Sequence, residues 1–235
     1  MATLRDLAAD PDEALLARFY DDMLVPYFSE GERVQLSALQ GGLLAEPRDT
    51  DAVVAVDDDG AVVGGAVGEW DGDADVYLLS YLAVRADLRS QGLGAQLMDH
   101  VRGWWEARGA GVALAEVDDP RHHEVSDYGD PAARLRFYER VGARVLGVPY
   151  TQPEVRAGSG RVPGMLLISF VVSNEALDGY GLRADVLRRF LGNYLMFSEG
   201  ATPETVEAAV DGLMPELAGR TAAIPILPMA SYAEI

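Results

Sequence analysis

The chain has 235 residues, enough for one large domain or a domain with an extension. Hydrophobic residues make up 49% of it, an ordinary share for a globular chain, and no apolar run reaches the roughly 20 residues a bilayer crossing needs. Its 19 basic residues, every one an Arg, face 38 acidic ones, and the net charge of −19 argues against nucleic acid, whose phosphates need cations.

A short strand is expected near Thr3–Leu7. A helix follows from about Asp12 to Leu24, with Leu15, Leu16, Phe19 and Met23 at helical spacing. A second helix is expected near Gly31–Leu44. The period then shifts to two: β-branched runs at Ala52–Val56 and Ala61–Val67 flank Asp57-Asp58-Asp59-Gly60, a hairpin signal. Asp71-Gly72-Asp73 makes the next turn, and a longer strand runs from about Val76 to Val84.

A Gly-rich turn, Arg89–Gly94, opens a helix with Leu93, Leu97, Val101 and Trp104 on one face. Gly109 and Gly111 close it, and Val112–Val117 reads as a fifth strand. The loop Asp118–Gly129 is rich in charge and histidine. Asp130-Pro131 then forms an N-cap followed by Pro at the first helical position, and that helix stops at Gly142. Strands are expected over Ala143–Pro149 and Met165–Val172. Beyond Val172 the pattern is helical: one stripe runs from Val186 to Leu195, and Thr202-Pro203 caps a helix with Val206, Val210, Leu213 and Leu217. The order describes an α/β architecture with a hairpin-rich first half.

The absence of Cys removes disulfides, thiolate metal sites and a Cys nucleophile together. The opening Met1-Ala-Thr-Leu-Arg-Asp carries no secretory pattern, so a cytoplasmic location is expected. An acidic surface would steer a cationic molecule inward, but solubility is the simpler explanation of the charge.

The stretch Leu82-Ala-Val-Arg-Ala-Asp-Leu-Arg89-Ser-Gln-Gly92-Leu-Gly94-Ala95 builds a strand, a tight turn and a helix N-terminus. Free N–H groups and the positive end of the helix make that terminus an anion site. Gly92 and Gly94 let a diphosphate approach the backbone, and Arg89 adds a bidentate cation. A Rossmann dinucleotide site fits less well: it wants Gly or Ala where this chain has Leu97, and a parallel sheet where a hairpin stands here.

Arg89-Ser90-Gln91-Gly92-Leu93-Gly94-Ala95 resembles the acyl-CoA pyrophosphate loop of the GNAT superfamily, (Arg/Gln)-x-x-Gly-x-(Gly/Ala). Phe137-Tyr138-Glu139-Arg140-Val141-Gly142-Ala143 resembles that family's second signature. The resemblance spans about Thr3 to Val172. It implies a GNAT-like mixed, largely antiparallel central sheet flanked by helices, with residues 1–175 as the acyl-CoA-binding catalytic domain and 176–235 as a helical extension. It further implies backbone contacts from Leu82, Ala83 and Val84 to a pantetheine arm, and Arg89 through Ala95 on the pyrophosphate. The implied activity is transfer of an acetyl or other short acyl group from acyl-CoA to a primary amine by direct attack. A non-catalytic acyl-CoA sensor or interaction module is the alternative.

Tyr138 matches the family's tyrosine and is the candidate acid, although a buried aromatic would give the same pattern. Glu116, in Ala-Glu-Val, matches a Leu-Glu-Val glutamate of amino-terminal acetyltransferases and is the candidate base, although strand-end carboxylates are more often solvated charges. A base on the fourth strand is not available, since Val76, Leu78 and Ser80 occupy that face. Two departures stand: Asp130-Pro131 replaces the Asn that often begins the signature helix, and Ala143 replaces the final Phe. His122-His123-Glu124 lacks a third His or a Cys and is read as polar loop, so no metal is expected; His100 is read as structural. The acceptor, whether small molecule or peptide, stays open. The C-terminal helices could pack on their own chain, form a homodimer contact, or wall the acceptor site.

Overall fold

Asp57 organises the first hairpin by itself. In the computed structural model, which describes residues 2–156 and 158–235, its Oδ1 accepts the N–H groups of Asp59 (3.1 Å) and Ala61 (2.8 Å). Gly60 supplies the positive φ of 80° that the turn requires. Strands β2 (Thr50–Val56) and β3 (Val62–Asp71) leave it antiparallel, from Thr50 opposite Glu69 to Val56 opposite Val62.

The chain divides into two compact units, one of the residues up to Trp70 with Tyr77–Ala110, the other of Asp71–Val76 with Gly111–Ile235. The first unit orders its strands β1 (Thr3–Asp6), β2, β3 and β4 (Val76–Val84). Its helices are α1 (Glu13–Phe19), α2 (Val25–Tyr27), α3 (Leu36–Leu44) and α4 (Leu93–Arg108). Leu16, Phe19, Met23, Leu24, Leu39 and Leu43 bury themselves on Ala52, Val54, Val67 and Tyr81.

Two helix expectations are corrected here. The helix expected over 12–24 begins as proposed, with Asp12 Oδ1 accepting Leu15 N–H at 2.9 Å, but widens to a π turn at Tyr20–Leu24. Pro26 lies just beyond, with no N–H to donate and a ring that crowds the preceding turn. The helix expected from Gly31 starts only at Leu36. Tertiary hydrogen bonds hold the residues before it extended: Val34 N–H donates to Tyr81 Oη, Tyr81 Oη donates to Glu32 O, and Tyr20 Oη donates to Val34 O, each at 2.9 Å.

A buried ionic knot braces this unit. Asp51 is 1% exposed, and it accepts Arg48 Nε at 2.9 Å, Arg108 at 3.1 Å on both oxygens, and Tyr77 Oη at 3.2 Å. His100 is structural as expected, with Nε2 3.0 Å from Asp6 Oδ2 and its ring edge-on to Trp104.

The second unit contains β5 (Val112–Asp118), α5 (Pro131–Arg140), β6 (Arg144–Leu146), β7 (Tyr150–Gln152) and β8 (Val162–Val172). It continues with β9 (Leu177–Asp178), β10 (Gly181–Leu182), α6 (Ala184–Ser198), α7 (Val206–Leu213) and β11 (Ile224–Leu227). Its strands run in the order β5, β8, β6, β11, β10, β9, and β7 also pairs with β8. The fold class is α/β, with largely antiparallel pairing flanked by helices.

The strand expected over 143–149 is shorter, Arg144–Leu146, and a separate strand, β7, follows it at Tyr150–Gln152. Val148 N–H turns back to Leu146 O (2.8 Å) and Gly147 N–H goes to Pro225 O (2.7 Å), so β6 ends before Pro149, which has no N–H for a ladder. The last sixty residues add strands as well as helices: Ile226 and Leu227 of β11 pair with Leu146 and Val145 of β6. The helix expected at Thr202 starts at Val206, with Leu217 in a separate 3-10 turn. Among the described residues, no helix is long and apolar enough to cross a membrane.

Candidate active site

The first unit carries the loop between β4 and α4. Ser90 and Gly92 have positive φ, 65° and 90°, and Gly92 is the N-cap of α4. The first backbone bond of the helix runs from Gln96 N–H to Gly92 O at 3.1 Å. The N–H groups of Leu93, Gly94 and Ala95 therefore sit in a first turn with no partner four residues back. Leu93 is buried while residues 89–92 are exposed, so the helix is anchored and its donors face outward. The residues present fit an anionic diphosphate.

The loop is braced from α2. Tyr27 Oη accepts the Ala86 N–H at 3.1 Å, and the Arg89 guanidinium lies over the Tyr27 ring at 5.1 Å. Arg89 Nε donates to Val84 O at 3.2 Å, and Gln91 Nε2 to Asp87 O at 3.0 Å. Arg89 thus stays on the loop, where the sequence places it, and Tyr27 is the support that sequence reasoning missed. Val84, expected to offer backbone groups, already has its carbonyl engaged, with one lone pair left. Leu82 and Val84 are half-buried and Ala83 is buried at the end of β4.

The first unit also holds a carboxylate that the search along β4 could not find. Glu69, half-buried on β3, accepts Ser80 Oγ of β4 at 2.8 Å. Burial raises its pKa above 4.5, and Asp49 adds to the rise, while the Ser80 hydrogen bond opposes it.

The second unit carries both expected catalytic side chains. Glu116 is half-buried on β5 opposite Leu167 of β8. It is not a solvated strand-end charge: Tyr150 Oη donates to its Oε1, and Tyr194 Oη donates to its Oε2 at 3.4 Å. Burial drives the Tyr150 phenol well above its usual pKa of 10, and the Glu116 carboxylate adds to this, so Tyr150 stays a donor. Two residues along β7, the Gln152 side-chain oxygen is buried without a hydrogen-bond partner. That leaves an acceptor which a donor ligand would satisfy.

Tyr138 stands in a different setting. It is 6% exposed on α5, with its ring edge-on to Phe137 (5.2 Å) and Phe170 (5.7 Å). Burial pushes its pKa up to about 12, against a small lowering by Arg134. A phenol in that state carries its proton throughout the neutral range. Asp130 caps its helix as expected, accepting Ala133 N–H at 3.1 Å.

The histidine pair does not converge. His123 Nε2 lies 3.1 Å from Pro163 O, whereas His122 packs over Gly164. Among the described residues, no group of three or more His, Asp and Glu could hold a metal ion. In the same loop, Asp119 is buried, which would raise its pKa, but Arg121 and its backbone N–H hold it below the usual range. Tyr150 and Tyr194 were missed as site residues. Their only signal is a phenol in the middle of an otherwise apolar strand or helix stripe.

Helices around largely antiparallel strands define the class as a mixed α/β fold. Residues 48–142 match the family described as Acetyltransferase (GNAT) domain. The chain's fold is similar to a protein from Bacteroides thetaiotaomicron assigned to the GNAT family of acetyltransferases. That likeness has TM-score 0.55 and 21% identity, and covers 83% of this chain and 96% of that one. It is also similar to Ard1 from Thermoplasma volcanium, with TM-score 0.50, 17% identity, and coverage of 73% and 97%. No curated protein matches the chain.

Proposed function

We propose that this chain is an acyl-CoA-dependent N-acyltransferase that moves an acetyl or other short acyl group to a primary amine by direct attack in a ternary complex. The observation that carries the reading is the loop at 89–95, whose first-turn amides, Gly92 and braced Arg89 suit the diphosphate of coenzyme A. When bound, acetyl-CoA supplies the acyl group as a thioester. Leu82, Ala83 and Val84 lie beside the pantetheine in this reading.

An alkylamine with pKa near 10.4 is mostly ammonium at pH 7, and deprotonating it costs about 4–5 kcal/mol. Glu116 takes that proton. The amine nitrogen then bonds to the acyl carbon as the carbon–sulfur bond breaks, and Tyr138 gives the departing sulfur its proton. The absence of Cys removes a thiol acyl-enzyme from consideration. The Glu116 carboxylate and the unpartnered Gln152 oxygen are both acceptors, which supports an amine rather than an anionic second substrate. The net charge of −19 points the same way, and away from nucleic acid.

The test has two readouts: calorimetry with coenzyme A, and thiol release from acetyl-CoA across polyamines, aminoglycosides, amino acids and peptides. Binding with turnover of at least one amine is expected. Binding without turnover would make the chain a sensor, and no binding would remove the reading altogether.

A further inference from the structure

Glu116 and Tyr150 do not belong to adjacent strands. Strand β8 lies between β5 and β7: Met165 of β8 faces Asp118 on one side and Tyr150 on the other, with Glu116 opposite Leu167 two residues along. The gap is two strand spacings, about 9.6 Å, and a phenol and a glutamate reaching across the same face of β8 close it. Nothing in backbone pairing requires that reach. Tyr194 arrives at the other carboxylate oxygen from α6.

Helix α6 is pinned on either side of this contact. Asn193 Nδ2 donates to both Asp71 oxygens at 2.9 and 3.0 Å, and Glu199 at the helix end accepts Arg161 at 2.7 and 2.9 Å and Glu154 N–H at 3.1 Å. Arg134 of α5 pairs with Asp118 at 2.6 Å, and His123 Nδ1 stands 3.8 Å from the same carboxylate. From β7 and α6, Glu116 receives hydrogen bonds from two phenols, Tyr150 and Tyr194.

We propose that Tyr150 and Tyr194 are positioning residues that clasp the Glu116 carboxylate, aim it, and keep it ionised for proton abstraction, so that the C-terminal helix α6 completes the catalytic base. The proposal rests on Glu116 as the base. A hydrogen bond to the charged form of a carboxylate lowers its pKa, and removing the donor raises it. The two donors are unequal. The Tyr150 contact is short and buried, while 3.4 Å is long for a hydroxyl donor, so Tyr150 sets most of the effect.

The experiment follows the Glu116 titration by carbon NMR in glutamate-labelled full chain, with the resonance identified by its loss in Glu116→Gln. The pH profile of kcat/KM is measured alongside it, using acetyl-CoA and the best amine of the panel. Tyr150→Phe keeps the ring in place and is expected to raise the Glu116 pKa by about 1–2 units, the scale of one hydrogen bond to a charged group. The acid limb of kcat/KM should move up with it. Tyr194→Phe, on the half-buried helix face, should give a smaller shift of the same sign. A Glu116 that titrates unchanged in Tyr150→Phe overturns the clasp and leaves the base intact. An acid limb that survives in Glu116→Gln overturns the base, and the clasp with it.

Discussion

Replacing Gly92 by Ala separates the two things this residue does. A Cβ built on Gly92 meets no atom within 4 Å, so the substitution creates no clash. What it does meet is a backbone at φ 90°, a conformation that costs a non-glycine residue about 1–2 kcal/mol. For a chain of this size that corresponds to a fall in Tm of roughly 2–8 °C. The open space around the missing Cβ is where the diphosphate would approach the amides of Leu93 to Ala95. A methyl there displaces one charge-assisted hydrogen bond, about 1.5–3 kcal/mol. The affinity for coenzyme A should therefore drop about 10- to 150-fold by calorimetry. Pantetheine lacks the diphosphate, so its binding should change little. A Gly92→Ala protein that loses thermal stability as expected but binds coenzyme A like the parent would refute the reasoning, because the glycine would then serve the turn alone.

Three further outcomes are expected. Tyr138→Phe should lower kcat by about 10²-fold or more with near-parental Tm. Because burial pushes this phenol's pKa up to about 12, its contribution in the parent should persist as pH rises and fade only near that value. Arg108→Ala strips one partner from the buried Asp51 and should cost about 3 kcal/mol in urea unfolding, the low end for a broken buried pair because Arg48 remains; a loss below 0.5 kcal/mol would show that Arg108 is dispensable to the knot. Glu69 has its folded pKa raised above 4.5, so the folded chain binds its proton more tightly than the unfolded one, and stability is lost as pH rises through that window. Glu69→Gln should accordingly raise Tm at pH 8, and the gain should vanish below the unfolded pKa. A lower Tm at pH 8 would mean that the ionised carboxylate is a net stabiliser.

The elements that sequence reasoning placed well are those whose cause is local. Asp57 and Gly60 make their own turn, Asp130 caps its own helix, and Arg89–Ala95 carries its donors and glycines within seven residues. Where long-range hydrogen bonds compete, local pattern fails. Tyr81 and Tyr20 hold Val34 extended inside a stretch with helical spacing, and Gly147 bonds to Pro225, nearly eighty positions away, and so breaks a strand that the apolar run alone would continue.

The same division runs through the site. A run of first-turn amides and glycines is a property of a few consecutive residues, and so the sequence by itself determined the 89–95 turn, along with Glu116 and Tyr138 as the groups to examine. The surroundings of Glu116 are another matter. Its two phenols come from positions 34 and 78 residues further along the chain, and each looks like one more aromatic on an apolar face. Only the pairing of β7 with β8 and the seating of α6 brought their hydroxyls to one carboxylate, because hydrogen-bond geometry between distant residues is set by how strands and helices pack and not by spacing along the chain.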